Sequence, residues 1–348
     1  MNIVARRMES GDRAALDTYL ATEPEATAFH RPEWHDVIRA TYGHECDYWL
    51  AFCGADIAGV FPVVNVRVPL LGSKMIAMPY QMYSGAPIGR RESFEPLVNA
   101  AIEQARGAGA NYLEIRHHEE TAWLAPLGFE HVDSGLVTTS VPLDGLSLQQ
   151  AAHGHRQRVR KAERQGVDIV ETQDSDEWRT FRRMYLETGR AMGAPQAGWS
   201  FFANLREHAG ALSRLYMARH EGRTVGGFLV LGDGRVSFAR CSAHSSSESF
   251  AVNAGQALWW RALTDAAAAG TTRFNCGITW IGDAGLIKWK EGWGGESGPV
   301  HLYVLPIRSD VPEPGSYFEG YKLAKAVWRR LPIPVVDVVG HAVTRWIG

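Results

Sequence analysis

Ser213-Arg214-Leu215-Tyr216-Met217-Ala218-Arg219-His220, then Glu221-Gly222-Arg223, then Thr224-Val225-Gly226-Gly227-Phe228-Leu229-Val230-Leu231 reads as strand, turn and strand. This is a β-hairpin pattern. Residues 236–241 supply a third strand, and 255–269 an apolar helix closed by Gly270. Thr272-Arg273-Phe274-Asn275 then returns as a strand. A helix over 177–192 precedes the set.

The first half of the chain has the same order. Helices are expected over 10–20 and over 32–41, the second opened by Pro32 in its first turn. Tyr48-Trp49-Leu50-Ala51-Phe52, a turn at Gly54-Ala55-Asp56, and residues 57–64 form another hairpin, followed by a short strand at 75–78. An amphipathic helix over 94–106 stops at Gly107 and Gly109, and 111–116 is a strand again. Helix, β-meander, helix, strand therefore occurs twice, without a close sequence repeat. The pattern predicts an α/β (α+β) protein made of two mixed-sheet units. The expected divisions are 1–148, a basic connecting helix at 149–168, a second unit at 169–310 and a tail at 311–348.

Bulk properties agree with that division. A chain of 348 residues exceeds one ordinary core and suits two domains. The formal net charge of -2 gives no global basic field, so any binding of RNA or phosphate must use a local patch. Cys46, Cys53, Cys241 and Cys276 form no CxxC pair, which argues against zinc and thioredoxin-like chemistry and for a reduced, cytoplasmic setting. The N-terminus lacks a signal-peptide pattern, and no run is apolar and long enough to span a bilayer. The tail, Val327-Trp328-Arg329-Arg330-Leu331-Pro332-Ile333-Pro334-Val335-Val336 and onward, mixes tryptophan, arginine and aliphatics. It is expected to pack on the protein body, with contact at the inner membrane surface as the alternative.

Four segments carry candidate chemistry. His155-Arg156-Gln157-Arg158-Val159-Arg160-Lys161-Ala162-Glu163-Arg164 is a helix with five Lys or Arg in ten residues and only Val159 and Ala162 as an apolar stripe. Arg156 and Arg160 share a face. Such a helix either meets anions or is solvated and paired with nearby carboxylates. Gln104-Ala105-Arg106-Gly107-Ala108-Gly109 imitates a pyrophosphate loop, but its glycines close a helix where phosphate binding needs them to open one. Pro79-Tyr80-Gln81-Met82-Tyr83-Ser84-Gly85-Ala86-Pro87 is a loop that suits a cleft wall or a buried turn. Trp289-Lys290-Glu291-Gly292-Trp293-Gly294 can place one ammonium at a pocket mouth, where it would stabilise an oxyanion. The serine-rich 242–249 stretch around His244 has no nucleophile elbow and reads as a turn. No H-x-x-x-H or H-E-x-x-H occurs, so no metal site is expected.

The element order is that of the GNAT acyltransferase fold. Phe29-His30-Arg31-Pro32-Glu33-Trp34 resembles the F-x-x-P-x-W opening of Fem-type aminoacyltransferases, and the 79–87 loop resembles their P-x-x-x-x-G-G-P segment. Residues 156–167 are similar to their R-x-x-I-R-K-A-x-K-x-G-V helix, 255–277 to their block ending F-D-x-G, and Trp289-Lys290 with Trp293-Gly294 to their F-K-x-x-W-G. The resemblance implies two GNAT-like units and transfer of an amino acid from aminoacyl-tRNA to an amine of a peptidoglycan precursor. The tail is similar to that of Fem-related proteins of exopolysaccharide systems, which points to a cell-wall, glycan or small-molecule acceptor. By this resemblance Arg156, Arg160 and Lys161 would contact tRNA or phosphate, and Lys290 would stabilise the ester carbonyl. Trp34, Tyr80, Tyr83, Ser84, Asn253, Asn275 and Trp289 would bind substrate, with backbone N–H groups near Gly277 and Ile278 assisting Lys290. Two features depart from the family: Asn275 stands where it has aspartate, and there is no coiled-coil insertion. Two rivals stand beside this reading: an acyl-CoA-dependent N-acyltransferase of GNAT type, and a membrane-associated binding protein of polysaccharide biosynthesis.

Overall fold

The hairpin of residues 213–231 closes with a two-residue turn: Glu221 and Gly222 have φ of 49° and 75°, and His220 pairs with Arg223. Left-handed backbone at both turn positions gives the twist that matches the flanking strands. The computed structural model describes residues 3–81, 83–244, 246–308 and 321–347. Met82, Ser245 and residues 309–320, which contain the expected boundary at 310, lie outside the described residues.

Contacts divide the chain into two compact units. One comprises the described residues of 1–136, 299–317 and 345–348; the other comprises those of 137–298 and 318–344. The two mixed-sheet α/β units expected from the sequence are present. Their borders differ from the expected ones. The basic helix α4 (His153–Arg164) is part of the second unit, because Val159 and Ala162 are buried, Val159 in that unit's core. Residues from Pro299 return to the first unit, because β13 (Glu296–Pro306) pairs with β6 (Tyr112–His117) over His301–Pro306. Neither fact is local, so neither is visible in element order.

In the first unit the sheet runs β1 (Ile3–Arg7), β2 (Glu45–Cys53), β3 (Asp56–Val68), β4 (Gly72–Ala77), β6 and the end of β13, with the short β5 (Ile88–Gly89) also on β3. Helix α3 (Phe94–Gly107) buries Leu97, Val98, Ala101, Ile102 and Ala105 against Phe61, Val63, Met75 and Leu113. Leu16 and Leu20 of α1 (Arg13–Thr22) join Leu50 and Val60 in a separate core cluster. Helix α2 (Pro32–Tyr42) ends at Gly43, whose φ is 68°.

The sheet of the second unit runs from the end of β7 (Glu130–Pro142) through β12 (Arg273–Trp280), β11 (Val236–His244), β10 (Arg223–Gly232) and β9 (Ser213–His220) to β8 (Asp168–Thr172). Helix α8 (Ala254–Ala268) packs Leu258, Trp259, Ala262 and Leu263 with Phe228 and Phe274. Each such large side chain contributes roughly 1.5–3 kcal/mol on burial. Helix α5 (Ser175–Met192) contacts β11, and α6 (Trp199–Ala209) follows it.

The tail forms α10 (Tyr321–Trp328) and α11 (Ile333–Ile347). Helix α11 lies on the second unit: Asp337 pairs with Arg182, Val336 is buried, and Gly340 meets the Gln196 backbone. Val338 faces outward, 73% exposed. No described helix is long and apolar enough to cross a membrane.

Candidate functional site

Strands β11 and β12 of the second unit are parallel, but they pair only through Val236–Arg273, Ser237–Phe274 and Phe238–Asn275. Beyond Asn275 the two strands part. Strand β12 bends at Gly277, whose φ of 73° lies in the left-handed region that disfavours a side chain. Asn275 holds the bend. Its carbonyl oxygen accepts from Gly277 N–H at 2.8 Å, and its amide donates to Thr138 Oγ1 at 2.8 Å and Ser140 Oγ at 3.3 Å. Asn275 is therefore a buried strut, and Gly277 N–H is already engaged. It does not assist Lys290 as expected from the sequence.

The bend turns two successive carbonyls to one side. Lys290, on α9 (Ala284–Glu291), donates from Nζ to Gly277 O at 2.8 Å and to Ile278 O at 3.0 Å. An ammonium has three N–H groups, so one remains beyond this clamp. Lys290 is 6% exposed, and burial brings its pKa down to about 8, so it is a cation at neutral pH. The neighbouring Cys276 thiol is pushed up to about 12 by burial and is no nucleophile.

Helix α4 docks on the helix that carries this lysine. Its His155 stacks on Trp293 at 4.2 Å, meets Trp289 edge-on, and donates from Nε2 to Trp289 O at 2.9 Å. Burial lowers the His155 pKa and keeps the ring neutral. A Cβ at Gly292 would stand 2.6 Å from that ring, so glycine permits the approach. Trp289 also meets Trp259 edge-on at 5.1 Å, which makes it part of an aromatic wall and leaves it half-buried. Arg156 turns back to its own helix start, donating to Gln149 O at 2.8 Å and Ala151 O at 3.0 Å. Arg158, Arg160, Lys161 and Arg164 are exposed, and among the described residues no ion pair engages them. Of the expected phosphate contacts, Arg160 and Lys161 face solvent, whereas Arg156 is committed to backbone.

Asn253 opens α8 with a φ of 58° and is half-exposed. Nearby, the 242–249 stretch is not a turn: β11 runs to His244 and α7 (Ser246–Ala251) follows. His244 Nδ1 lies 3.1 Å from Ser249 Oγ, a contact that sequence spacing did not suggest. Ser249 is buried, with its hydroxyl against the His244 ring.

The remaining expected residues lie in the first unit. There β4 and β6 are also parallel, pair only through Met75–Leu113 and Ile76–Glu114, and then part. Residues 83–85 run beside β6 in the gap. Gly85 N–H donates to Arg116 O at 2.7 Å, His118 N–H donates to Tyr83 O at 2.9 Å, and Ser84 bridges to His117. A Cβ on Gly85 would meet Arg116 O at 2.6 Å and Ala77 O at 3.2 Å, so only glycine fits between the strands. Tyr83 and Ser84 are buried, with Tyr83 stacked on His118 at 4.0 Å. The Tyr80 hydroxyl donates to Arg345 O at 3.0 Å, an acceptor it shares with His44. Trp34 packs edge-on against Phe29 at 1% exposure. These four residues are packing positions, and the expected cleft wall is an inserted plug. Gln104, in the imitation pyrophosphate loop, ties Trp49 and Asp47 together at the end of α3.

Residues 150–291 match the family described as the acetyltransferase (GNAT) domain. The chain therefore carries a GNAT-type acyltransferase domain within its second unit. Its architecture is the Fem-type one: the crystal structure of FemX matches with a TM-score of 0.71 at 16% identity, over 87% of this chain and 98% of FemX. The C-terminal domain of a putative lysylphosphatidylglycerol synthetase from Agrobacterium fabrum matches at 0.58 and 14%, over 90% and 97%. A tandem GNAT protein of the clavulanic acid biosynthesis pathway matches at 0.54 and 14%, over 89% and 100%. At these identities the likeness is one of fold. No curated protein is similar to the chain in sequence.

Proposed function

We propose that the second unit transfers an aminoacyl group from aminoacyl-tRNA to an amine on a cell-wall, glycan or small-molecule precursor, without a covalent enzyme intermediate. The observation that carries this is Lys290. Its ammonium is held by the Gly277 and Ile278 carbonyls where β12 leaves β11, on the helix against which the unpaired basic helix α4 docks. The acceptor amine attacks the ester carbonyl, a C–N bond forms and the ester C–O bond breaks. The remaining Lys290 N–H faces the oxygen on which negative charge develops. The amine's proton passes to water or to the departing sugar oxygen. Arg160 and Lys161 meet the phosphates of the donor. The resemblance of residues 156–167 and of Trp289-Lys290 with Trp293-Gly294 to the Fem-type aminoacyltransferases supports a donor of this kind.

A second reading places an acyl-CoA thioester in the same parted strands. It is favoured by the match of 150–291 to the acetyltransferase family, with the start of α8 at Asn253 available to a pyrophosphate. A membrane-facing role for the outward side of α11 rests on exposed Val335, Val338 and Val339, and sedimentation with anionic vesicles tests it.

The donor is decided by titrating the full chain with bulk aminoacylated tRNA and, separately, with acetyl-CoA across a salt series. The expected result is salt-sensitive tRNA binding that weakens about tenfold in Arg160→Glu/Lys161→Glu, with the salt slope falling by about 1 for each phosphate no longer neutralised. Acetyl-CoA binding with no response to tRNA would replace the first reading by the second.

A further inference from the structure

The first unit holds a side-chain cluster that acyl transfer does not use. His117 is the last residue of β6 and His118 the first beyond it, where the chain leaves strand geometry. Their rings come together with centroids 4.6 Å apart. Glu119 follows, and one ligand atom from each of the three lies within 4.8 Å of the others.

The hydrogen bonding settles which atom His118 can offer. Its Nδ1 lies 2.7 Å from Tyr83 O, and a carbonyl only accepts, so Nδ1 carries the proton. Nε2 then keeps its lone pair, and it lies 3.7 Å from Glu119 Oε1. That separation is close to the edge of a tetrahedron whose corners are about 2.0–2.2 Å from a central ion. A ligand imidazole whose other nitrogen donates to a backbone carbonyl is the usual way a protein sets ring orientation at a metal. The Tyr83 ring, stacked 7° from parallel on His118, fixes the plane further. His117 is buried, and its Nδ1 accepts a long 3.5 Å hydrogen bond from Ala86 N–H. A metal ion on that atom would displace this weak bond.

We propose that His117, His118 and Glu119 form a binding site for a divalent transition-metal ion of the zinc class. Two imidazoles and one carboxylate are the donor set of a zinc, cobalt or nickel site. The fourth position belongs to water, on the side where Glu119 is exposed. The site clips the end of β6 to the plug, because the Tyr83 carbonyl that orients His118 also accepts the His118 backbone N–H.

The test uses the full chain, stripped with EDTA, dialysed, and titrated with zinc by calorimetry and with cobalt by visible absorption. One equivalent of zinc is expected, with d–d bands of four-coordinate cobalt. His118→Gln and Glu119→Gln should each weaken binding by at least about tenfold. Glu119 is exposed, so its variant keeps the test valid should a histidine variant fold poorly. The exposed pair His131 and His301, whose ring nitrogens are 3.2 Å apart, supplies the control. His131→Gln/His301→Gln should leave zinc binding unchanged. Absence of stoichiometric zinc uptake by the wild-type chain would overturn the proposal. So would loss of binding in the control with retention in His118→Gln and Glu119→Gln.

Discussion

The two units contain the same break in the sheet and treat it in opposite ways. In each, a parallel strand pair holds for two or three residues and then opens: β4 and β6 after Ile76–Glu114, β11 and β12 after Phe238–Asn275. In the first unit the chain's own Tyr83–Ser84–Gly85 segment runs beside β6 and satisfies its backbone. In the second, a bend at Gly277 replaces a strand partner with an ammonium, and Lys290 takes the Gly277 and Ile278 carbonyls. An unpaired strand edge must be satisfied by something. A backbone plug leaves nothing to offer a substrate. A lysine clamp keeps one polar hydrogen and a positive charge. Under the proposed function, that difference assigns acyl transfer to the second unit.

That contrast can be broken most severely at Lys290. Lys290→Met should lower acyl-transfer turnover by about 10²–10³-fold, the loss seen when one oxyanion donor is removed. Rate measured on protein whose melting temperature is unchanged would separate this from unfolding, and full turnover would sink the proposed role. In the first unit the mirror experiment is Gly85→Ala. The new methyl meets rigid backbone at Arg116 O, so stability should fall by about 1–3 kcal/mol. Turnover per folded molecule should stay unchanged; a specific loss of turnover would place catalysis in the plugged unit.

The pH dependence sharpens the same point. Lys290 has its folded pKa lowered to about 8 by burial, below the ordinary 10.5. Between those values the unfolded chain binds more protons than the folded one. The burial penalty is therefore present below about pH 8 and is relieved as pH rises toward 10.5. Activity runs the other way, because the clamp works as a cation: turnover should decline on the alkaline side near pH 8, and Lys290→Arg should move that limb upward. The smallest effect is expected at Asn275→Asp. Thr138 and Ser140 can rotate their hydroxyls to donate, and the retained oxygen still accepts from Gly277 N–H. A stability change within about 1 kcal/mol is the expected outcome by thermal melting.

Much of the fold was legible because its signals are local. The Glu221-Gly222 turn, the stop of α3 at Gly107–Gly109 and the apolar run of α8 all have their causes within a few residues. Strands β1, β7, β8 and β13 and helix α6 were missed. The burial of β7 and β8 is partial and irregular, and β13 finds β6 across nearly the whole chain. Motif types singled out Lys290, Trp289 and the basic helix, and the packing of His155 on Trp289 and Trp293 brings these segments together. The clamp itself was hidden, since it needs left-handed backbone at Gly277 before two adjacent carbonyls can face one ammonium. Tyr80, Tyr83 and Ser84 were misplaced because a Pro/Gly-rich loop looks alike whether it lines a cleft or fills one. The available clue was Gly85, a position where a close backbone approach excludes any side chain. His117 and His118 escaped notice because neighbouring residues of a strand normally face opposite ways.

Hydrogen exchange of the full chain, with and without saturating bulk aminoacylated tRNA and in a parallel run with acetyl-CoA, tests the central claim most directly. The productive donor should protect the amides of 276–280 on β12 and those of α4, and leave 83–87 unchanged. Protection confined to 83–87 and the end of β6, with β12 unaffected, would contradict it.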